Sequence, residues 1–147
     1  MQFDFQDPNE GVSPLVDYGK FDVDSPAARR RGVYRFVFRN VGDPFLDAFD
    51  APDPSLSVAR RTVTITPFQA LSLYNNAFVL RQCEWLARRL DRDGASVERQ
   101  LDDACRLLFA RPAEADELET LAEYAGRHGL ENTLRVLVNS NEFLFLP

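Results

Sequence analysis

Few residues in this chain could do chemistry, and their spacing points away from catalysis. Asp47, Asp50 and Asp53 recur at intervals of three and could turn oxygens toward a calcium ion, but the EF-hand spacing and its glycine are missing. A simpler role is to cap a short helix or to pair with Arg60 and Arg61, fixing the loop that carries them. His128 is the sole histidine, which excludes metal sites built from several imidazoles. Beside Gly129 it reads as a helix C-terminal histidine favoured by the helix dipole. Cys83 and Cys105 fall on apolar helical spacing, so they are expected as buried free thiols or as a disulfide between neighbouring helices. A Cys83–His128 nucleophile pair would need an orienting third group and an exposed thiolate, and an apolar face supplies neither. The serine nucleophile elbow, the His-Glu-x-x-His zinc motif and the phosphate-cradling glycine loop are all absent. No catalytic residue, cofactor site or metal site is therefore expected.

Two clusters are left as candidates for recognition. Thr66, Gln69, Asn75 and Asn76 could read sugar hydroxyls, or could form a structural polar network with Arg60 and Arg61. Asn75 lies between Leu71 and Phe78 on an apolar stripe, so it is expected to be buried and bonded to backbone outside its own helix. Arg30 and Arg31 with Tyr34, Phe36 and Phe38 combine forked donors with aromatic faces. Such a mixture suits a protein interface, a sugar site, or the packed edge where an N-terminal arm meets the helices.

The elements that would position these residues turn on one stretch, Arg60 to Phe78. A β-branched run over 61–65 ends at Thr66, Pro67 follows, and the apolar spacing changes from alternate to helical. Thr66 fits the N-cap and Pro67 the first helical position. Upstream, residues 1–32 are rich in Pro, Gly and Asp yet hold Phe3, Phe5, Leu15, Val16, Tyr18 and Phe21, which predicts an arm lying on the body in short turns. Residues 33–39 alternate as a half-buried strand. Asp43-Pro44 starts a short helix through Phe49. Downstream, a first long helix is expected from Pro67 to about Arg92, its stripe running through Phe68, Leu71, Phe78, Val79, Gln82, Leu86 and Leu90. Ser96 caps a second, which stops before Pro112; a third spans about 113–127, and a fourth about 130–140. The fold class is thus mainly α: a bundle of about four helices with a small two- to three-stranded β element and a long N-terminal arm. It forms a single domain over 1–147, with the arm at 1–32, a strand and short-helix region at 33–66, and a helical region at 67–140.

Composition bounds the partners. With 147 residues, 45% of them hydrophobic and 12% aromatic, the chain can bury a core and is unlike a disordered one. Its net charge of −6 and pI of about 4.8 argue against nucleic acid as a partner. No apolar run reaches the roughly 18 residues of a membrane span, and no signal peptide opens the chain.

Six segments in order resemble one family. They are Arg-Arg-Gly-Val-Tyr-Arg-Phe at 30–36, Leu-Asp-Ala-Phe-Asp-Ala-Pro-Asp at 46–53, Ala-Arg-Arg-Thr-Val-Thr-Ile-Thr-Pro-Phe-Gln-Ala-Leu at 59–71, Asn-Asn-Ala-Phe-Val-Leu at 75–80, Cys-Arg-Leu-Leu-Phe-Ala-Arg-Pro at 105–112 and Leu-Val-Asn-Ser-Asn-Glu-Phe-Leu-Phe at 137–145. Together they resemble the DUF1553, or PSD1, domain abundant in Planctomycetes, from about residue 11 to the C-terminus. The resemblance implies context more than chemistry. Domains of this kind usually close large exported proteins that carry a second planctomycete-specific domain and often a cytochrome-c-like haem module, sometimes with a glycan-binding insert. No catalytic residue is established for them. The Cys-x-x-Cys-His haem-attachment motif is absent here. The implied role is a non-catalytic docking or structural module, extracytoplasmic, whose partners are upstream domains of the same larger protein; the alternative is polysaccharide binding.

Overall fold

The computed structural model describes residues 18, 21–31, 34, 42–52, 56, 64, 66–91 and 94–144. The chain divides into two compact units, 1–69 and 70–147.

In the first unit, short local devices replace a long element. The Asp22 carboxylate accepts from the Asp24 N–H at 3.0 Å, and Ser25 donates through both N–H and Oγ to the Asp22 carbonyl. A 3₁₀ turn, Pro26–Arg29, follows and buries Ala28. Helix α1, Pro44–Ala48, begins as the Asp43-Pro44 pair dictates: the Asp43 carboxylate accepts from the Phe45 N–H at 3.0 Å and proline holds the first position. Gly42 lies so close to this turn that a Cβ there would stand 2.2 Å from Asp47 Oδ2. Any larger residue must displace that carboxylate. The Phe45 and Phe49 rings pack edge to face with centroids 5.1 Å apart. Short turns are thus what the described part of the expected arm contains.

The expected small β element is not supported: no strand occurs among the described residues. The predicted strands at 33–39 and 61–65 lie outside those residues, apart from Tyr34 and Thr64. At Tyr34 the reading is corrected, because its N–H donates to the Arg31 carbonyl at 2.9 Å and closes a tight turn. Side-chain alternation specifies a strand only when the backbone N–H groups face another strand.

The mainly helical expectation holds. Helix α2 is Pro67–Asn75, α3 Ala77–Leu90, α4 Val97–Phe109, α5 Ala115–His128, α6 Leu130–Val138 and α7 Asn141–Leu144. Within 70–147, α3, α4, α5 and α6 form the expected four-helix core, with α3 against α6 and α5 against both α4 and α6, while α7 lies on α4 and α6. Each inner face repeats every three or four residues: Val79, Cys83, Ala87 and Leu90 on α3, Leu101, Ala104 and Cys105 on α4, Thr133, Leu134 and Leu137 on α6. Alanine and cysteine at the contacts let the helix axes approach closely.

The single helix expected over 67–92 is in fact two. Asn76 adopts an extended conformation (φ −69°, ψ 128°), and its side chain accepts from the Phe78 N–H at 2.9 Å, so it ends α2 and caps α3. Asparagine breaks helices in this way because its short amide competes with the backbone for nearby N–H groups. The break shifts the apolar phase. Gln69 and Leu73 are buried on α2, whereas Phe68 and Leu71, expected on the buried stripe, are 61% and 59% exposed.

The later boundaries follow local rules. Ser96 Oγ accepts from the Arg99 N–H at 3.4 Å, Glu114 and Glu117 form a reciprocal capping box, and Ala110 ends α4 at φ +57°. Gly129 takes φ +85° between α5 and α6, where the missing Cβ removes the strain.

Candidate functional site

The polar network expected around the start of α2 forms in part. Thr66 Oγ1 accepts from the Gln69 N–H at 3.2 Å, and Gln69 Oε1 accepts from the Thr66 N–H at 3.0 Å, a reciprocal cap that fixes where the helix starts. The Thr-x-x-Gln spacing carried that signal, although only the threonine half is evident from propensity. Gln69 Nε2 then donates to Asp50 Oδ2 at 3.2 Å and to Thr64 Oγ1 at 3.0 Å. The same Asp50 oxygen accepts from the Thr64 N–H at 2.8 Å and from Thr64 Oγ1 at 2.6 Å. Asp50, at φ +54°, is therefore held in a left-handed conformation by donors 14 and 19 residues away. With all these donors on one oxygen, Asp50 is a structural acceptor. Arg60, Arg61 and Asp53 lie outside the described residues, and among those described no three His, Cys, Asp or Glu side chains converge as a metal site.

Asn75 and Asn76 do not join that network. Asn76 is the cap of α3, and Asn75 is exposed, its Nδ2 donating to the Leu71 carbonyl one turn back at 3.2 Å. The expectation of a buried Asn75 bonded outside its helix is corrected. It assumed one continuous stripe, and the break at Asn76 turns residue 75 outward.

A different pair binds the end of α2. Arg135 Nη2 donates to the Tyr74 carbonyl at 2.7 Å while its guanidinium lies 4.2 Å above the Tyr74 ring, and Asn132 Oδ1 accepts from Nη1 at 2.8 Å. Asn139 Nδ2 donates to the Ala70 carbonyl at 3.3 Å. The Tyr74 carbonyl is one of the helix-end groups that need partners, whereas that of Ala70 lies within the helix. Nothing in local spacing signals this pairing, since Arg135 acts across 61 residues.

The interaction surface proposed for Arg30, Arg31, Tyr34, Phe36 and Phe38 is described at its first three residues; Phe36 and Phe38 lie outside. Arg30 and Arg31 are exposed and Tyr34 is 72% exposed, and the backbone bond from the Tyr34 N–H to the Arg31 carbonyl closes the turn that carries them.

Neither cysteine is poised as a nucleophile. Both thiols are free and buried. Burial pushes the Cys83 thiol up to about 11, only partly offset by Arg135, and burial likewise raises Cys105. His128 ends α5, exposed, with its ring 4.4 Å from that of Tyr124. The strongest ion cluster is structural. Arg111 bonds Glu117 at 2.8 Å and Glu142 at 2.6 Å, tying the α4–α5 connection to α7 and holding both carboxyls below the usual range.

These features define a mainly helical chain whose described buried polar residues serve caps and local hydrogen bonds, while its ion pairs lie nearer the surface. The chain belongs to the PSD1 family, described as a protein of unknown function (DUF1553), whose model matches residues 5–125. That span takes in the first five of the six resembling segments and leaves 137–145 beyond it. No curated protein and no solved structure matches the chain. Among the described residues, no helix is long and apolar enough to cross a membrane.

Proposed function

We propose that this chain is a non-catalytic docking module of a larger exported, cytochrome-c-linked protein, and that it seats against that protein's upstream domains. The observation that supports the reading is the backbone-bonded Arg31–Tyr34 turn, on which Arg30, Arg31 and Tyr34 are all exposed. Tyrosine and arginine are the residues that anchor protein interfaces, because each buries a large flat surface and keeps a directional polar group. A short backbone-bonded turn presents them with little entropy left to lose on binding. The identity of the partner is supported by the family resemblance, in which such domains close multi-domain exported proteins.

The test is calorimetric titration of this chain with a separately produced upstream region of the same gene product. Saturable association is expected, and the triple change Arg30→Ala, Arg31→Ala and Tyr34→Ala should weaken it at least about tenfold without altering the melt. Failure of the unaltered chain to associate would remove the docking role.

The open face of Tyr34 also favours a second reading, polysaccharide binding, since an aromatic face beside polar donors suits a sugar ring. Binding of a neutral oligosaccharide that disappears in Tyr34→Ala would put recognition of sugar in place of docking.

A further inference from the structure

Within 70–147 nearly every described arginine is engaged. Arg81, Arg88, Arg106, Arg111 and Arg127 pair with carboxylates, and Arg135 is bonded to Asn132 and Tyr74. The two exceptions, Arg89 and Arg99, line the same open cleft of about 410 Å³ between the end of α3 and α4. Leu90 and Leu107 form its apolar wall, and Arg106, fixed by Asp102 at 2.8 Å, closes one side. Asp103 lines it too. Spaced four residues after Arg99 and three before Arg106, it is placed for the helical ion pairs that form readily at those spacings, yet it has no ionic partner among the described residues. Among the described residues, two guanidinium groups and one carboxylate therefore line a single concavity without forming an ion pair, in a chain whose net charge is −6.

We infer that this cleft binds a small carboxylate ligand that also presents a hydroxyl or amino donor. Guanidinium groups are charged at any physiological pH and present forked donors that match carboxylates. Asp103 is acceptor-only when ionised, so it repels a second anionic group and selects a donor in its place. The volume lies within the ~300–1,000 Å³ typical of small-molecule sites, and the leucine wall excludes water from one face of the ligand, which strengthens the polar bonds opposite. The inference is independent of the docking role, since it uses none of the residues of the Arg31–Tyr34 turn.

The probe is L-lactate, titrated at constant ionic strength and followed by amide NMR, with propionate as the analogue lacking the hydroxyl. Saturable shifts are expected at Arg99, Asp103 and Leu107. Arg89→Gln and Arg99→Gln should each weaken binding by at least about tenfold, the value of a charge-assisted bond pair, with the melt unchanged because both side chains are exposed. Arg127→Gln, which does not line the cleft and is paired with Glu123, should leave it unaltered. Lactate should bind more tightly than propionate, and the difference should vanish in Asp103→Ala. Equal weakening by Arg127→Gln, or shifts that sodium chloride reproduces, would show nonspecific charge screening and overturn the site. Equal affinity for lactate and propionate would overturn the role of Asp103.

Discussion

The two units are held together by different physics. In 1–69 the described residues are fixed by carboxylates that accept backbone N–H groups: Asp22, Asp43 and Asp50 each hold a turn or a helix start, and few large side chains are fully enclosed. In 70–147 the order is reversed. Leu101, Ala104, Cys105, Thr133 and Leu134 are wholly enclosed, and polar contacts trim the edges of an apolar core. The contrast teaches that one short chain can fix backbone either by directional bonds, which tolerate little change at single atoms, or by area, which tolerates little change in volume.

The sharpest break of that contrast is a cavity in the helical unit. Leu134→Ala, with Leu101→Ala as its partner test on α4, should lose about 2–5 kcal/mol in urea unfolding, because a fully enclosed leucine leaves a void its neighbours cannot fill. A loss under about 1 kcal/mol would show that α6 is loosely packed.

Next in size is the counterpart in the first unit. Asp50→Ala removes the acceptor shared by Thr64 and Gln69 and should cost about 1–3 kcal/mol. Amide exchange is the discriminating measurement: protection should fall at Thr64 and in the first turn of α2, while Leu101 and Leu134 keep theirs. Uniform loss across the chain would mean that the units do not differ as described. Arg135→Met should cost a similar amount, since it leaves the Tyr74 carbonyl without its donor.

Acid and base should act on different contacts. Glu117 and Glu142 have carboxyls lowered in the folded chain by Arg111, so their contribution is present above the ordinary value of 4.5 and is lost as pH falls through the lowered values. Arg111→Gln should flatten the acid limb of a stability–pH profile below about 4.5. Cys83 is raised from 9.0 to about 11, so its contribution is full below 9 and declines as pH climbs toward 11, where only the unfolded chain ionises freely. Cys83→Ala should soften the alkaline limb, and the native thiol should react with iodoacetamide only on unfolding.

The smallest effect is expected at Asn75. Its exposed side chain bonds only the Leu71 carbonyl, so Asn75→Leu should shift stability by no more than about 0.5 kcal/mol. A loss of several times that in a chemical melt would return Asn75 to the interior.

Most helix starts closed within a few residues were legible in the sequence. Asp43-Pro44 starting α1, Thr66-Pro67 starting α2, Ser96 starting α4 and Gly129 separating α5 from α6 are bonds or dihedrals made between near neighbours, so residue type alone specifies them. The helical faces carrying Cys83 and Cys105 were legible from apolar spacing, and both thiols are buried and free. Tertiary structure decided the rest. Asn76 could continue a helix or cap one, and propensity barely separates the two. In the fold, Arg135 supplies the Tyr74 carbonyl at the end of α2 with a donor, which helps to compensate the break, and Phe68, Leu71 and Asn75 are left exposed. The cleft of Arg89, Arg99 and Asp103 was likewise beyond local reading, because whether a charge is paired depends on what the neighbouring helix brings to it.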